Sequence, residues 1–140
     1  MSYRRHLNLN QSSMANCVCS LLLMAFYMMA ELSSAIDSIN QEREALLHSG
    51  WWNDYPNISD HCDWEGINCN EVGSVTDIVR GPLRIPSSKG WIHKLNVTAF
   101  PNLVKLDLYG MGLRGSIPKD IGSLTSLTTL VLANNSLQGK

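Results

Sequence analysis

No block of like charge runs through this chain. Its 140 residues carry 11 lysines and arginines against 12 aspartates and glutamates, a formal net charge of −1. That balance removes the basic footprint of a nucleic-acid binder and the charged tail of an interaction arm. Kinase signatures are missing too: no V-A-I-K, no H-R-D, no D-F-G, and no glycine loop expected to grip a phosphate. No G-x-S-x-G marks a hydrolase nucleophile. Asp60, Asp63 and Glu65 are clustered carboxylates, but without a base or a pocket they read as solvated loop residues. No second apolar span follows the first. Cysteine is scarce, with four residues, two of them near the start. The chain is therefore expected to be one modest domain that is not an enzyme and takes no cofactor.

What is present begins with an address. Arg4, Arg5 and His6 give a positive start, and Cys17 to Ala30 is apolar apart from Ser20. Ser33-Ser34-Ala35 supplies small residues for cleavage after Ala35, with Ala30 as a second choice. This layout predicts a secretory signal peptide over residues 1–35. As a helix the apolar run would span ~21 Å at ~1.5 Å per residue, short of a ~30 Å hydrocarbon core. The alternative is an uncleaved anchor. Cleavage would remove Cys17 and Cys19, whose spacing is not that of a redox motif.

The second half repeats. Leu103, Leu106, Leu108, Leu113 and Gly115 are matched by Leu127, Leu130, Leu132, Leu137 and Gly139, a step of 24 residues from 103 to 127. The form L-x-x-L-x-L-x-x-N-x-L at this period marks a leucine-rich repeat. Leucines two apart share one face of a strand, so Leu106 and Leu108, then Leu130 and Leu132, are predicted to point inward. Lys105, Asp107 and Tyr109, then Thr129, Val131 and Ala133, are predicted to point outward. Stacking successive copies would close a core and line up a parallel sheet on a concave face. Asn135 falls where the chain leaves the strand, and its amide can bond the backbone groups freed there. Met111 holds that slot in the first copy and cannot. Gly115, Pro118 and Gly122 would interrupt a helix through this stretch.

Between signal and repeats lies a cap. Ser38 to Leu47 opens with capping residues and continues with helix formers, Ile39, Leu46 and Leu47 sharing a face with Arg43; Gly50 stops it. After Trp51-Trp52 and a polar stretch comes Cys62-Asp63-Trp64-Glu65-Gly66-Ile67-Asn68-Cys69. In an exported chain two cysteines this close are expected to pair. Closing so short a loop is worth about 2.5 kcal/mol in the chain-entropy picture. Trp64 would cover the open end of the leucine core, and Gly66 would permit the turn between the sulfurs. A zinc site from His61, Cys62, Cys69 and His93 is the alternative; oxidation in the secretory route and the wide cysteine spacing speak against it, so no metal is expected.

The segments E-A-L-L, Gly50-Trp51-Trp52, C-x-W-x-G-x-x-C, Gly73-Ser74-Val75-Thr76-Asp77-Ile78 and L-x-G-x-I-P together resemble the ectodomain start of plant leucine-rich-repeat receptor-like kinases. Gly50 to Asp54 and Leu95 to Leu103 are most similar to the male-discoverer-interacting receptor-like kinase group. The resemblance implies an α/β leucine-rich-repeat solenoid start. It implies a cap at 36–74, an irregular first repeat at 75–102, and two plant-type repeats at 103–140, the last incomplete. In the irregular repeat Val75 and Ile78 align with Leu103 and Leu106, and Arg80 takes the slot of Leu108, which an unpaired charge cannot enter. A short strand, a loop from Pro82 to Gly90, and a return to the core at Leu95, Val97 and Phe100 are expected.

The function implied is an extracellular protein-interaction module of a cell-surface receptor, with a peptide or protein ligand and a co-receptor as partners. Nucleic acid is not expected as a partner. Contact with a membrane would come only through a parent receptor or an uncleaved signal. Alternatives are a stand-alone secreted repeat protein acting as inhibitor or decoy, or a truncated product of a receptor kinase gene. Export makes the sequons at Asn57, Asn96 and Asn134 candidates for N-glycosylation.

Overall fold

The computed structural model describes residues 11–52, 55, 60–82 and 90–139. The positive start at Arg4 to His6, the sequon residue Asn57 and most of the loop after Pro82 lie outside them. The chain divides into two compact units, Met1–Ile36 and Asp37–Lys140.

Helix α1 runs Gln11–Ser49 without interruption. No helix begins at Ser38, contrary to the capping signal there. Neither glycine nor proline occurs between Gln11 and Ser49, so nothing forces a break. In the first unit Leu21, Leu22, Leu23 and Phe26 are all exposed. Residues Asn16–Ser49 are long and apolar enough to cross a membrane by length and composition, a test that a signal sequence near an N-terminus also passes. The helix ends where Gly50 turns to φ +73 and its N–H bonds the Leu47 carbonyl at 3.0 Å.

The second unit is built on short strands. β1 (Ile67–Cys69), β2 (Val75–Val79), β3 (Lys105–Asp107) and β5 (Thr129–Val131) form one sheet in the order β1-β2-β3-β5. β4 (Arg114–Gly115) and β6 (Ser136–Leu137) form a second, parallel pair, which Trp91 extends by a bridge to Arg114. The main sheet is mixed rather than wholly parallel. Asn70 accepts the N–H groups of Val72 and Ser74 on its side chain and that of Gly73 on its carbonyl, reversing the chain directly from β1 into β2. Strands joined by so short a turn must run antiparallel.

From β2 onward the pairing is parallel. Ile78 lies opposite Leu106, and Leu106 opposite Leu130. The alignment of the irregular first repeat with its successor is thus the register of the sheet. Between strands the chain returns through 3-10 turns at Val97–Ala99 and Lys119–Ser123, which stack on one another. Phe100 and Leu124 close these two turns and are both buried. The core gathers Leu46, Trp52, Trp64, Ile78, Leu95, Phe100, Leu103, Leu106, Leu108 and Leu113.

The second ladder keeps a different step. Gly115, aligned by sequence with Gly139, pairs instead with Leu137, a step of 22 residues. Asn135 keeps the same step: its Oδ1 takes the N–H of Leu113, 22 residues earlier, at 2.9 Å. An even slip leaves each side chain on its own face.

Helix α1 meets the sheet through a buried carboxylate that the helix pattern gave no reason to expect. Its buried face is Glu42, Ala45, Leu46 and Ser49, while Ile39, Arg43 and Leu47 are half-buried. Glu42 accepts the Ser74 hydroxyl at 2.6 Å and the Val75 N–H at 2.8 Å. His61 Nε2 stands 3.8 Å from the same carboxylate. Ser74 in turn accepts from Asn102 at 2.9 Å. These bonds hold the helix to the first residues of β2. Replacing Glu42 by Ala leaves a buried N–H and hydroxyl without an acceptor, a cost of about 1–3 kcal/mol. Denaturant unfolding followed by tryptophan fluorescence is expected to show that loss for Glu42→Ala. The exposed Glu44→Ala should stay within about 0.5 kcal/mol of the parent.

Candidate functional site

The outward side of the sheet is set by strand alternation. Leu106 is buried, so its neighbours Lys105 and Asp107 face the other way. Register then builds two rows across the strands. Asp77, Lys105 and Thr129 form one; Val79, Asp107 and Val131 form the other. Asn68 extends the first row onto β1. Tyr109 and Ala133 follow the strands, held alongside by the bond from the Gly110 N–H to the Ala133 carbonyl at 3.0 Å.

Two carboxylates, Asp77 and Asp107, share this face with Lys105. Lys105 Nζ lies 3.6 Å from Asp107 Oδ2, with both side chains partly open to solvent. Such an exposed pair contributes about 0–1 kcal/mol and is screened by salt. Asp77 accepts the Thr76 hydroxyl at 2.8 Å, and Asp107 Oδ1 accepts the Tyr109 N–H at 3.3 Å. Tyr109 is 48% exposed. The arrangement offers a ring, a matched ion pair and small residues on fixed backbone.

The inward side differs between the copies. Leu106 and Leu108 are buried, but Leu130 is 42% exposed and Leu132 only half-buried. The predicted inward pair of the second copy is thus incompletely covered; among the described residues β5 pairs with β3 alone. Asn135 behaves as its position suggests. Besides accepting from Leu113, its Nδ2 donates to the carbonyls of Leu108 at 2.8 Å and Leu132 at 2.9 Å. Met111 is buried in the corresponding slot and contributes packing instead.

At the other end the core is closed by the cap. Cys62 and Cys69 form a disulfide with Cα atoms 5.7 Å apart. His61, Cys62 and Cys69 bring three potential metal-ligating atoms within 4.8 Å of one another, but the disulfide leaves no thiolate among them. His93 lies beside Trp91, ring centroids 5.6 Å apart. Trp64 is buried, stacked on Tyr55 at 6.2 Å and approached by the Arg43 guanidinium at 5.9 Å. Gly66 has φ +83, and a Cβ there would stand 2.1 Å from the Val79 carbonyl oxygen. Its glycine is required by this close approach of β2 as well as by the turn.

Arg80 does enter the buried slot aligned with Leu108, and it does so with partners. Nη2 donates to the Trp51 carbonyl at 2.8 Å and Nη1 to that of Glu65 at 3.3 Å. The guanidinium lies 5.0 Å above the Trp52 ring and 3.5 Å from the Glu65 carboxylate. Strand β2 still ends at Val79, as the early arginine implied.

One further string needs correction. Gly110-Met111-Gly112-Leu113-Arg114-Gly115 has the spacing G-x-G-x-x-G, although no phosphate-gripping loop was expected. The structure places it after β3, its last two residues forming β4, with Met111 and Leu113 buried. It opens no helix, so it lacks the N-terminal amides that make such a loop an anion site. Sequence reasoning also missed Glu42, β1 and the second ladder. A Glu within a charged helical segment carries no signal of burial, and two-residue strands have no periodicity to read.

No protein-family profile matches the chain. Two curated proteins of Arabidopsis thaliana are similar to it. The leucine-rich repeat receptor-like serine/threonine-protein kinase RGI4 is 34% identical over 134 residues, covering 87% of this chain and 12% of the relative. The receptor-like serine/threonine-protein kinase RGI3 is 32% identical over 105 residues, covering 66% of this chain and 9% of the relative. The chain therefore spans only about a tenth of the length of the curated relatives it matches.

The hydrogen bonds of Asn135 make a specific expectation. Asn135→Asp keeps an acceptor for Leu113 but turns a carboxylate oxygen toward two carbonyls. Stability is expected to fall by about 1–3 kcal/mol in urea titration, and the Leu108 and Leu132 region to exchange amide hydrogens faster.

Proposed function

The chain is a homologue of the plant leucine-rich-repeat receptor-like kinases, and from that premise we propose that it is an extracellular protein-interaction module from the N-terminal part of such a receptor's ectodomain. The observation that carries this reading is the in-register parallel stacking of Ile78, Leu106 and Leu130 behind a disulfide-bonded cap. It supports the start of a leucine-rich-repeat solenoid, with residues 36–74 as cap, 75–102 as the irregular first repeat and 103–140 as plant-type repeats. Residues 1–35 act as the signal for export, and the mature segment works at the outer face of the plasma membrane or in the apoplast. We assign no phosphoryl transfer to this stretch, which lacks V-A-I-K, H-R-D and D-F-G.

On this reading Lys105, Asp107, Tyr109, Thr129, Val131 and Ala133 face a peptide or co-receptor from the concave side. Their rigid backbone lowers the ordering cost of binding. A second reading is favoured by the closure of the core around Arg80, Trp52 and Trp64: this stretch only caps the array, and the ligand binds elsewhere on the receptor.

A photo-cross-linking residue in place of Tyr109, in the receptor expressed in leaf cells, separates the two. The interaction reading expects a cross-link to an extracellular protein or peptide, reduced at least severalfold by Lys105→Ala. The absence of any cross-link at Tyr109 and at Thr129 would establish the capping role instead. N-terminal sequencing of the mature chain is expected to begin at Ile36.

A further inference from the structure

The second unit contains a groove of about 670 Å³ on the side of α1, walled by the helix and by the 3-10 turn at Val97–Ala99. Its volume falls in the range of about 300–1,000 Å³ typical of small-ligand sites. On one wall stand Gln41, Glu44 and His48 of α1; on the other, Asn96 and Thr98. Ala45 and Ala99 are the small residues between them, and both are largely buried. The walls carry amide, carboxylate, imidazole and hydroxyl groups, able both to donate and to accept hydrogen bonds. Nothing in the outward face of the sheet uses this groove.

Asn96-Val97-Thr98 is an N-glycosylation triplet, and its asparagine and threonine sit on the rim of that groove. Both side chains are exposed, while Val97 between them is buried. The Thr98 hydroxyl donates to Asn96 Oδ1 at 2.7 Å. Asn96 precedes the 3-10 turn without capping it by its side chain, and no described residue accepts a hydrogen bond from its Nδ2. Asn135 contrasts with it, since its amide is committed to backbone carbonyls.

We propose that Asn96 carries an N-linked glycan whose first sugars lie in the groove against Gln41, Glu44 and His48. The proposal rests on the export reading above. In the transfer, the Asn96 carboxamide nitrogen bonds the anomeric carbon of a lipid-pyrophosphate-linked oligosaccharide. The bond from that carbon to the pyrophosphate oxygen breaks, the lipid pyrophosphate leaves with the electron pair, and the amide gives up one proton. The host supplies the donor and the transferase; this chain supplies the acceptor and the bed for the sugar. Sugar hydroxyls meet the polar walls, and the apolar face of the ring meets Ala45 and Ala99.

The full chain, expressed in leaf cells and recovered from the secretory fraction, tests this by peptide mass spectrometry and by carbethoxylation of His48. The Asn96 peptide is expected to carry a glycan that Thr98→Ala abolishes and Thr98→Ser retains. Enzymatic removal of the glycan from the unaltered chain is expected to speed His48 modification severalfold. Equal His48 rates before and after removal would overturn the groove placement. A bare Asn96 in a chain whose Cys62–Cys69 bond has formed would overturn the modification site alone. A chain that stays in the cytosol with both cysteines reduced would sink the export reading and the proposal with it.

Discussion

Leu106 is buried because Ile78 lies opposite it on one side and Leu130 on the other. A three-residue strand has no means of covering its own leucines, and every larger feature of the second unit follows from that. Leu130 sits at the same position of the next copy, with the same side chain and backbone, and is 42% exposed where Leu106 is 1%. The difference is the neighbour. At about 25 cal/mol per Å² of apolar surface removed from water, burial in such an array is a property of pairs of coils rather than of one coil. The cap has the complementary task on the β2 side. There the antiparallel β1, Trp52, Trp64 and the disulfide stand beside Ile78 among the described residues.

Polar groups fix how these apolar layers are arranged. Glu42, Arg80 and Asn135 each reach backbone groups far away in sequence: Val75, Trp51 and Glu65, and Leu108 and Leu113. An apolar contact tolerates sliding; a buried hydrogen bond does not, since a slip leaves its partner unsatisfied. The bond from Leu113 to Asn135 spans the same 22-residue step as the second ladder, two residues short of the sequence repeat. Arg80 shows how a charge can stand where a leucine would. Two backbone carbonyls, a carboxylate and the face of Trp52 replace most of the water it gives up, while its buried Nε has no hydrogen-bond partner among the described residues.

The outward rows illustrate the division of labour between the two sides of a strand. Lys105, Asp107 and Tyr109 take no part in the core, so their chemistry is free of packing demands. Their placement nevertheless depends on it, since the burial of Leu106 turns them outward. The groove beside α1 is a different kind of surface. It arises where a helix and a 3-10 turn leave a gap that small residues do not fill, and its position relative to the sequon was invisible until Asn96 and α1 were brought together in space.

The sequence by itself determined the elements governed by local rules. A step of 24 residues and leucines two apart specified the parallel register of Leu106 with Leu130 and the outward face carrying Lys105, Asp107 and Tyr109, and the alignment of Val75 and Ile78 with Leu103 and Leu106 specified the register one strand earlier. Cysteine spacing specified the Cys62–Cys69 bond, and the position of Asn135 specified its backbone role. Only the tertiary structure decided what depends on contacts between distant segments. It buried Glu42, whose partners Ser74 and Val75 lie 32 and 33 residues away. It turned β1 antiparallel and gave the glycine-rich string after β3 a turn instead of a phosphate loop. Local periodicity records which face of a residue will be covered; only the folded chain determines what covers it.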